Sequence, residues 1–143
     1  MWYDIKTNNP VMELSYFPKD SIGFVYLLEY ADGSMYIGKK NLYSTRTLPK
    51  LKTKNRDNAV VIKKRKDGHL VEYEIVTTES DWLDYEGSTR KGTKVAKKYI
   101  LGVATSKIQL TYLETKYLFK YNAIIDANFI NDNILGKFYR GRV

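Results

Sequence analysis

Glu114 sits where a carboxylate needs an explanation. Leu110, Leu113, Tyr117, Leu118 and Tyr121 recur at helical spacing, and Glu114 falls inside that apolar stripe, four residues after Leu110 and three before Tyr117. An unpaired buried charge costs several kcal/mol or shifts its pKa until it neutralises. The position therefore asks for a cation, metal or arginine, unless the side chain reaches water at the edge of the stripe. Cations are plentiful elsewhere. From Lys39 to Lys66 eleven lysines and arginines stand against one acid, Asp57, so this stretch alone exceeds the excess of the whole chain, whose 24 basic and 16 acidic residues give a formal charge of +8. A patch of this kind gains from counterion release when it holds a polyanion, which makes nucleic acid the leading partner class; a solvated lysine-rich face is the structural alternative. With no cysteine and the single histidine His69, the chain has no disulfide framework, zinc ribbon, iron–sulfur cluster, Cys nucleophile or multi-His cage. Any metal must sit on oxygen ligands.

The elements that would hold these groups follow from periodicity and turn chemistry. A chain of 143 residues, 43% hydrophobic and 28% charged, reads as one folded domain rather than a disordered or low-complexity segment. Residues 1–21, broken by Asn8-Asn9-Pro10 and Pro18, read as an irregular, extended N-terminal arm packed by Trp2, Tyr3, Tyr16 and Phe17, with the domain proper over 22–143. Gly23 to Tyr30 and Ser34 to Gly38 form a hairpin around Asp32-Gly33. Ala59–Arg65 and Leu70–Thr77 form a second around Asp67-Gly68, with Glu72 and Glu74 on the solvated face. Residues 41–58 read as a basic, weakly patterned segment with a short helical turn and a loop. Trp82 to Ser88 reads as a compact aromatic turn in which Trp82 anchors the core, and His69 as a turn residue. Thr93–Leu101 reads as a short helix closed by Gly102, and Ser106 with Gln109 as the capping box of the main helix. No apolar stretch approaches the roughly 18–20 residues of a membrane span, and the first residues lack a signal peptide's pattern, so a cytoplasmic protein without a membrane partner is expected.

Gly23-Phe24-Val25-Tyr26, the intact Tyr36-Ile37-Gly38 across the hairpin, Arg46 some eight residues on and the lone helical Glu114 resemble the GIY-YIG nuclease superfamily. The strings YIGKKN from Tyr36, WLDYEGS from Trp82 and FINDNI from Phe129 further resemble its small phage-encoded members, over roughly residues 22–140. Order and spacing carry the likeness more than the short motifs do. The resemblance implies an α+β fold with a small three-stranded antiparallel sheet flanked by helices. It also implies Mg²⁺- or Mn²⁺-dependent hydrolysis of phosphodiester bonds in double-stranded DNA. Carried over residue by residue, Tyr26 and Tyr36 face the scissile phosphate, one of them positioning or deprotonating the attacking water. Arg46 clamps the non-bridging oxygens, Glu114 holds the metal, and Gly38, Trp82, Asn131 and Asn133 support the site. Lys39, Lys40, Lys50, Lys52, Lys54, Arg56, Lys63 and Lys64 are the candidate nucleic-acid contacts. Some members carry a histidine or tyrosine about four residues past the arginine, where this chain has Lys50, which leaves the general base open.

Phosphodiester hydrolysis needs a nucleophile and neutralisation of charge on the phosphoryl and leaving oxygens; an arginine fork and a hard cation on one carboxylate supply the second. Tyrosine ionises near pH 10 in isolation, so acting as a base requires cations beside it, and Lys39, Lys40 and Arg46 are the candidates, with Tyr26 preferred over Tyr36 as base. Register supplies a condition. A two-residue Asp32-Gly33 loop would set Tyr26 opposite Lys39 and Tyr36 opposite Glu29, on opposite faces of the sheet. A three-residue loop or a bulge brings Tyr26, Tyr30 and Tyr36 to one face. Two rival readings remain at this level, a catalytically inactive basic DNA-binding module and a phage interaction protein that docks an acidic host protein. Monomer and homodimer are both open.

Overall fold

The computed structural model describes residues 1–49, 59–87 and 93–143. In chain order the strands are β1 (Trp2–Asp4), β2 (Pro10–Val11), β3 (Gly23–Tyr30), β4 (Met35–Asn41), β5 (Tyr43–Pro49), β6 (Ala59–Lys64), β7 (Leu70–Glu79), β8 (Val95–Ala104), β9 (Asn133–Ile134) and β10 (Phe138–Tyr139). Among the described residues there is one α-helix, α1 (Lys107–Lys120), and a short 3-10 turn at Leu14–Tyr16. The chain divides into two compact units, Met1–Leu42 with Asp81–Val143, and Tyr43–Ser80.

The first unit is built on a five-stranded sheet in the order β2-β1-β8-β3-β4, in which β1 and β8 run parallel and the other pairs antiparallel. This corrects the expected small three-stranded antiparallel sheet flanked by helices: the class is α+β, but the sheet is larger and mixed, and among the described residues α1 is the α-helix that packs on it. Two segments account for the difference. The segment Thr93–Leu101, expected as a helix, instead contributes to the strand β8, because Val95, Tyr99, Ile100 and Val103 suit a pleated surface and the strand lies between β3 and β1. Gly102, expected to cap that helix, lies mid-strand, where a Cβ would approach the Tyr117 ring to 3.1 Å. The first residues, expected to be irregular, add β1 and β2. Trp2 is fully buried and its indole N–H donates to the Trp82 carbonyl at 2.7 Å.

β3 is covered on both faces, which is why its sequence is apolar almost throughout. Val25 and Leu27, with Ile37 and Leu101, pack with Leu110 and Leu118 of α1 and with Phe129 and Ile134. Phe24, Tyr26, Leu28 and Tyr30 pack on the other side with Trp2, Phe17 and Trp82. The helix begins as its sequence directs: Ser106 Oγ accepts from the Gln109 N–H at 3.1 Å. Gln109 Oε1 reaches back to the N–H of Thr105, at 2.7 Å.

After α1 the chain runs beside β4, with a parallel bridge between Met35 and Phe129. One side chain organises this segment. The Arg140 guanidinium donates to the backbone carbonyls of Asn131, Asp126, Phe129 and Ala123 at 2.5 to 3.1 Å. Arg140→Ala is expected to lower stability by about 2 to 3 kcal/mol, because carbonyls held by a charged donor lose it together. Chemical denaturation would measure the change. Arg140→Lys should rescue little, since one ammonium cannot span four acceptors.

The second unit is a three-stranded antiparallel sheet in the order β5-β7-β6. Its β6–β7 hairpin forms where Asp67-Gly68 indicated, closed by Arg65 N–H to the His69 carbonyl at 2.8 Å, with Gly68 at φ +88. The exposed His69 lies 3.1 Å from the Asp67 carboxylate within that turn. Residues 43–49, expected as part of a helical turn and loop, are strand β5: Thr45 and Thr47 favour extended backbone, and β7 offers an edge to pair with. Residues 50–58 of that expectation lie outside the described residues. Glu72 is exposed as expected, but Glu74 is buried.

Candidate active site

The β3–β4 turn sets the register on which a shared site depends. Tyr30 N–H donates to the Ser34 carbonyl at 2.8 Å and Gly33 N–H to the Tyr30 carbonyl at 2.9 Å, leaving a three-residue loop, Ala31-Asp32-Gly33, with Gly33 at φ +87. The left-handed backbone there favours glycine. Tyr26 then pairs with Gly38 and Leu28 with Tyr36, so Tyr26, Tyr30 and Tyr36 share a face. The Tyr26 and Tyr36 ring centroids are 6.3 Å apart. The glycine of Tyr36-Ile37-Gly38 has a direct cause, since a Cβ at position 38 would stand 2.5 Å from Tyr26 Oη and 3.0 Å from a Tyr36 ring carbon. Gly38→Ala should displace both rings, at a cost of about 1 to 3 kcal/mol. A thermal melt and a plasmid-cleavage assay on the same variant would register both effects.

Tyr26 is buried, and this burial, reinforced by Tyr85 and Tyr36, pushes its hydroxyl well above the ordinary tyrosine pKa. That is opposite to the lowering expected from nearby cations, because removing water penalises the phenolate more than surface lysines can repay. Tyr26 therefore keeps its proton at neutral pH. Tyr36 is half-buried, sits on the edge strand β4 and lines a cleft of about 390 Å³.

Glu114 lines the same cleft with Lys39, Thr111, Asn131, Asp132 and Asn133. Its place on the helix is fixed by leucines one turn away on either side, Leu110 and Leu118, both buried, which turn this face of α1 toward the sheet. The carboxylate is half-buried. Burial pushes its pKa up, and the ammonium of Lys39 pulls it down by less. Lys39 is itself held at the cleft by donating to Thr111 Oγ1 at 3.0 Å.

Asn131 serves the backbone. Buried beside β4, its Oδ1 accepts from the Ile37 N–H at 3.0 Å and its Nδ2 donates to the Ile37 carbonyl at 2.8 Å, as a neighbouring strand would. It thereby fixes the middle residue of the Tyr-Ile-Gly string. Asn133 closes a turn by accepting from Gly136 N–H at 2.9 Å. Asp132, between the two asparagines, is a cleft carboxylate that sequence reasoning passed over; its only signal was its position in the FINDNI string.

A hard divalent cation suits this donor set. Among the described residues no three His, Cys, Asp or Glu side chains gather as a cage. One half-buried carboxylate, with Asp132 in the same cleft, matches the way Mg²⁺ binds through one or two carboxylates while keeping its waters.

The remaining candidates are distributed. Trp82 is a core residue, edge-on to Phe17 with centroids 5.2 Å apart. Lys40 pairs with Asp81 at 2.6 Å, holding that carboxyl below its ordinary range, and its ammonium lies 4.1 Å from the centre of the Tyr85 ring. Arg46 belongs to the Tyr43–Ser80 unit, exposed on β5 opposite Val76. Lys63 and Lys64 are exposed at the end of β6. Lys50, Lys52, Lys54 and Arg56 lie outside the described residues. Lys98, counted with the basic groups of the sequence, is buried and donates to the carbonyls of Leu83 and Tyr85 at 3.1 and 2.9 Å, tying down the aromatic turn.

A family model described as endonuclease segE, GIY-YIG domain, matches residues 5–134. No curated protein and no solved structure matches the chain.

Proposed function

Because the chain belongs to this family of GIY-YIG nuclease domains, we propose that it is an endonuclease that hydrolyses phosphodiester bonds of double-stranded DNA with a divalent cation, Mg²⁺ or Mn²⁺, held by Glu114. The observation that supports this reading is the shared cleft of Glu114, Tyr36 and Lys39 against the strand that Asn131 fixes. Bound at Glu114, the cation would supply positive charge for the leaving oxygen. Tyr36, the tyrosine that lines the cleft, orients the attacking water and relays its proton, the phenol oxygen accepting that proton as the Tyr36 hydroxyl proton passes to solvent. Tyr26, protonated and buried behind Gly38, positions the Tyr36 ring and donates a hydrogen bond. The Arg46 fork neutralises the non-bridging oxygens as charge grows there. Lys39 draws the phosphate in, and Lys63 and Lys64 grip the duplex backbone.

No helix among the described residues is long and apolar enough to cross a membrane. The proposed setting is the cytoplasm, that of a host cell if the chain is phage-encoded.

Supercoiled plasmid incubated with Mg²⁺ should be nicked or linearised, and chelator should stop the reaction. Cleavage that proceeds unchanged in chelator would remove the metal from the proposal. Duplex binding without cleavage in any divalent cation would establish an inactive DNA-binding module in its place.

A further inference from the structure

The unit Tyr43–Ser80 has no part in the five-stranded sheet, and among its described residues β5 pairs with β7 over Tyr73–Glu79, so that Ile62–Lys64 and Leu70–Glu72 run on past it as a two-stranded ribbon in which β6 is the edge strand. We infer that this ribbon is a duplex-reading element that seats in the major groove of DNA, separate in its role from the Glu114 cleft. The inference rests on the reading of the chain as a DNA-cutting protein.

Four consecutive cations, Lys63, Lys64, Arg65 and Lys66, occupy the end of β6 and the turn, all exposed. Register puts them on both sides of the ribbon. Lys64 pairs with Leu70 and Ile62 with Glu72, which sets those four on one face, while Lys63 pairs with Val71 on the other. A sheet lying flat on one phosphate backbone needs cations on one face only. Cations on both faces suit a ribbon flanked by two phosphate strands, and the major groove, about 12 Å wide, admits a two-stranded ribbon.

The face between the charges is chemically matched to base edges. Ile62 and Leu70 are 60% and 72% exposed, and such side chains can meet thymine methyl groups. The tight three-residue turn, with Gly68 at φ +88, keeps the tip narrow. A solvated lysine-rich edge would account for the charge, but not for two exposed aliphatic side chains aligned with it.

The test uses the full chain in chelator, so that binding to a fluorescent duplex is read without cleavage. Lys63→Gln with Lys64→Gln should weaken binding by about tenfold or more at physiological salt and flatten the salt dependence of log affinity by about two contacts. Leu70→Ser should weaken binding while leaving that slope unchanged, which a purely electrostatic edge would not predict. A third strand filling the major groove should compete with the parent protein, and a minor-groove ligand should not. Both variants alter exposed side chains, and circular dichroism checks that they fold; the groove competition needs no variant. The inference is overturned if the lysine variant binds with the parent's affinity and slope, or if only the minor-groove ligand competes. A parent that binds through the ribbon yet cuts nothing with Mg²⁺ overturns the nuclease reading and leaves the ribbon standing.

Discussion

Glu114→Gln is expected to lower plasmid cleavage by about 10³-fold or more, while duplex binding is kept or strengthened. Gln preserves size and hydrogen bonding and removes only the charge, so the cation loses its principal carboxylate. Binding should not fall, since a negative charge is taken away from a cleft that receives phosphate. Stability carries its own sign. Burial holds the Glu114 carboxyl above its ordinary range, so as pH rises the unfolded chain ionises first and the metal-free parent loses stability across that window. The variant has no proton to lose. Its melting temperature without metal should therefore exceed the parent's at neutral pH, and the gap should close below the ordinary carboxylate pKa. Cleavage at the parent's rate would move the cation elsewhere, with Asp132 in the same cleft as the next ligand to replace.

Arg46→Ala should lower cleavage by about 10²- to 10³-fold, the loss expected when a charged donor to the transition state is removed. Melting temperature should hardly move, since Arg46 is exposed on β5 and an exposed cation adds little to stability. Arg46→Lys should recover only part of the rate, because an ammonium cannot offer two parallel bonds to a pair of phosphoryl oxygens. Rate and melting temperature falling together would identify Arg46 as structural and would shift the phosphate clamp to another cation.

Several features were legible in the sequence because their causes lie within a few residues. Asp67-Gly68 specified the second hairpin, and Ser106 with Gln109 started α1. Glu114 was marked as anomalous by its place in the stripe of Leu110, Leu113, Tyr117, Leu118 and Tyr121. The β3–β4 register was legible as a condition rather than a result: face sharing by Tyr26 and Tyr36 demanded a three-residue loop, and Gly33 provides it.

Tertiary structure decided whatever depends on the other side of a face. Residues 95–104 are compatible with a helix locally and become a strand because β3 and β1 offer edges on both sides. Trp2 and Trp82 meet across 80 residues of chain, and Asn131 holds Ile37 across 94. Nothing near either residue announces its partner. The protonation of Tyr26 reversed expectation for the same reason, as local sequence showed neighbouring lysines but not the aromatic cover that excludes water from its hydroxyl. Turn geometry and caps are short-range interactions written in adjacent residues. Burial, and with it strand pairing and pKa, is set by what the rest of the chain lays over a residue.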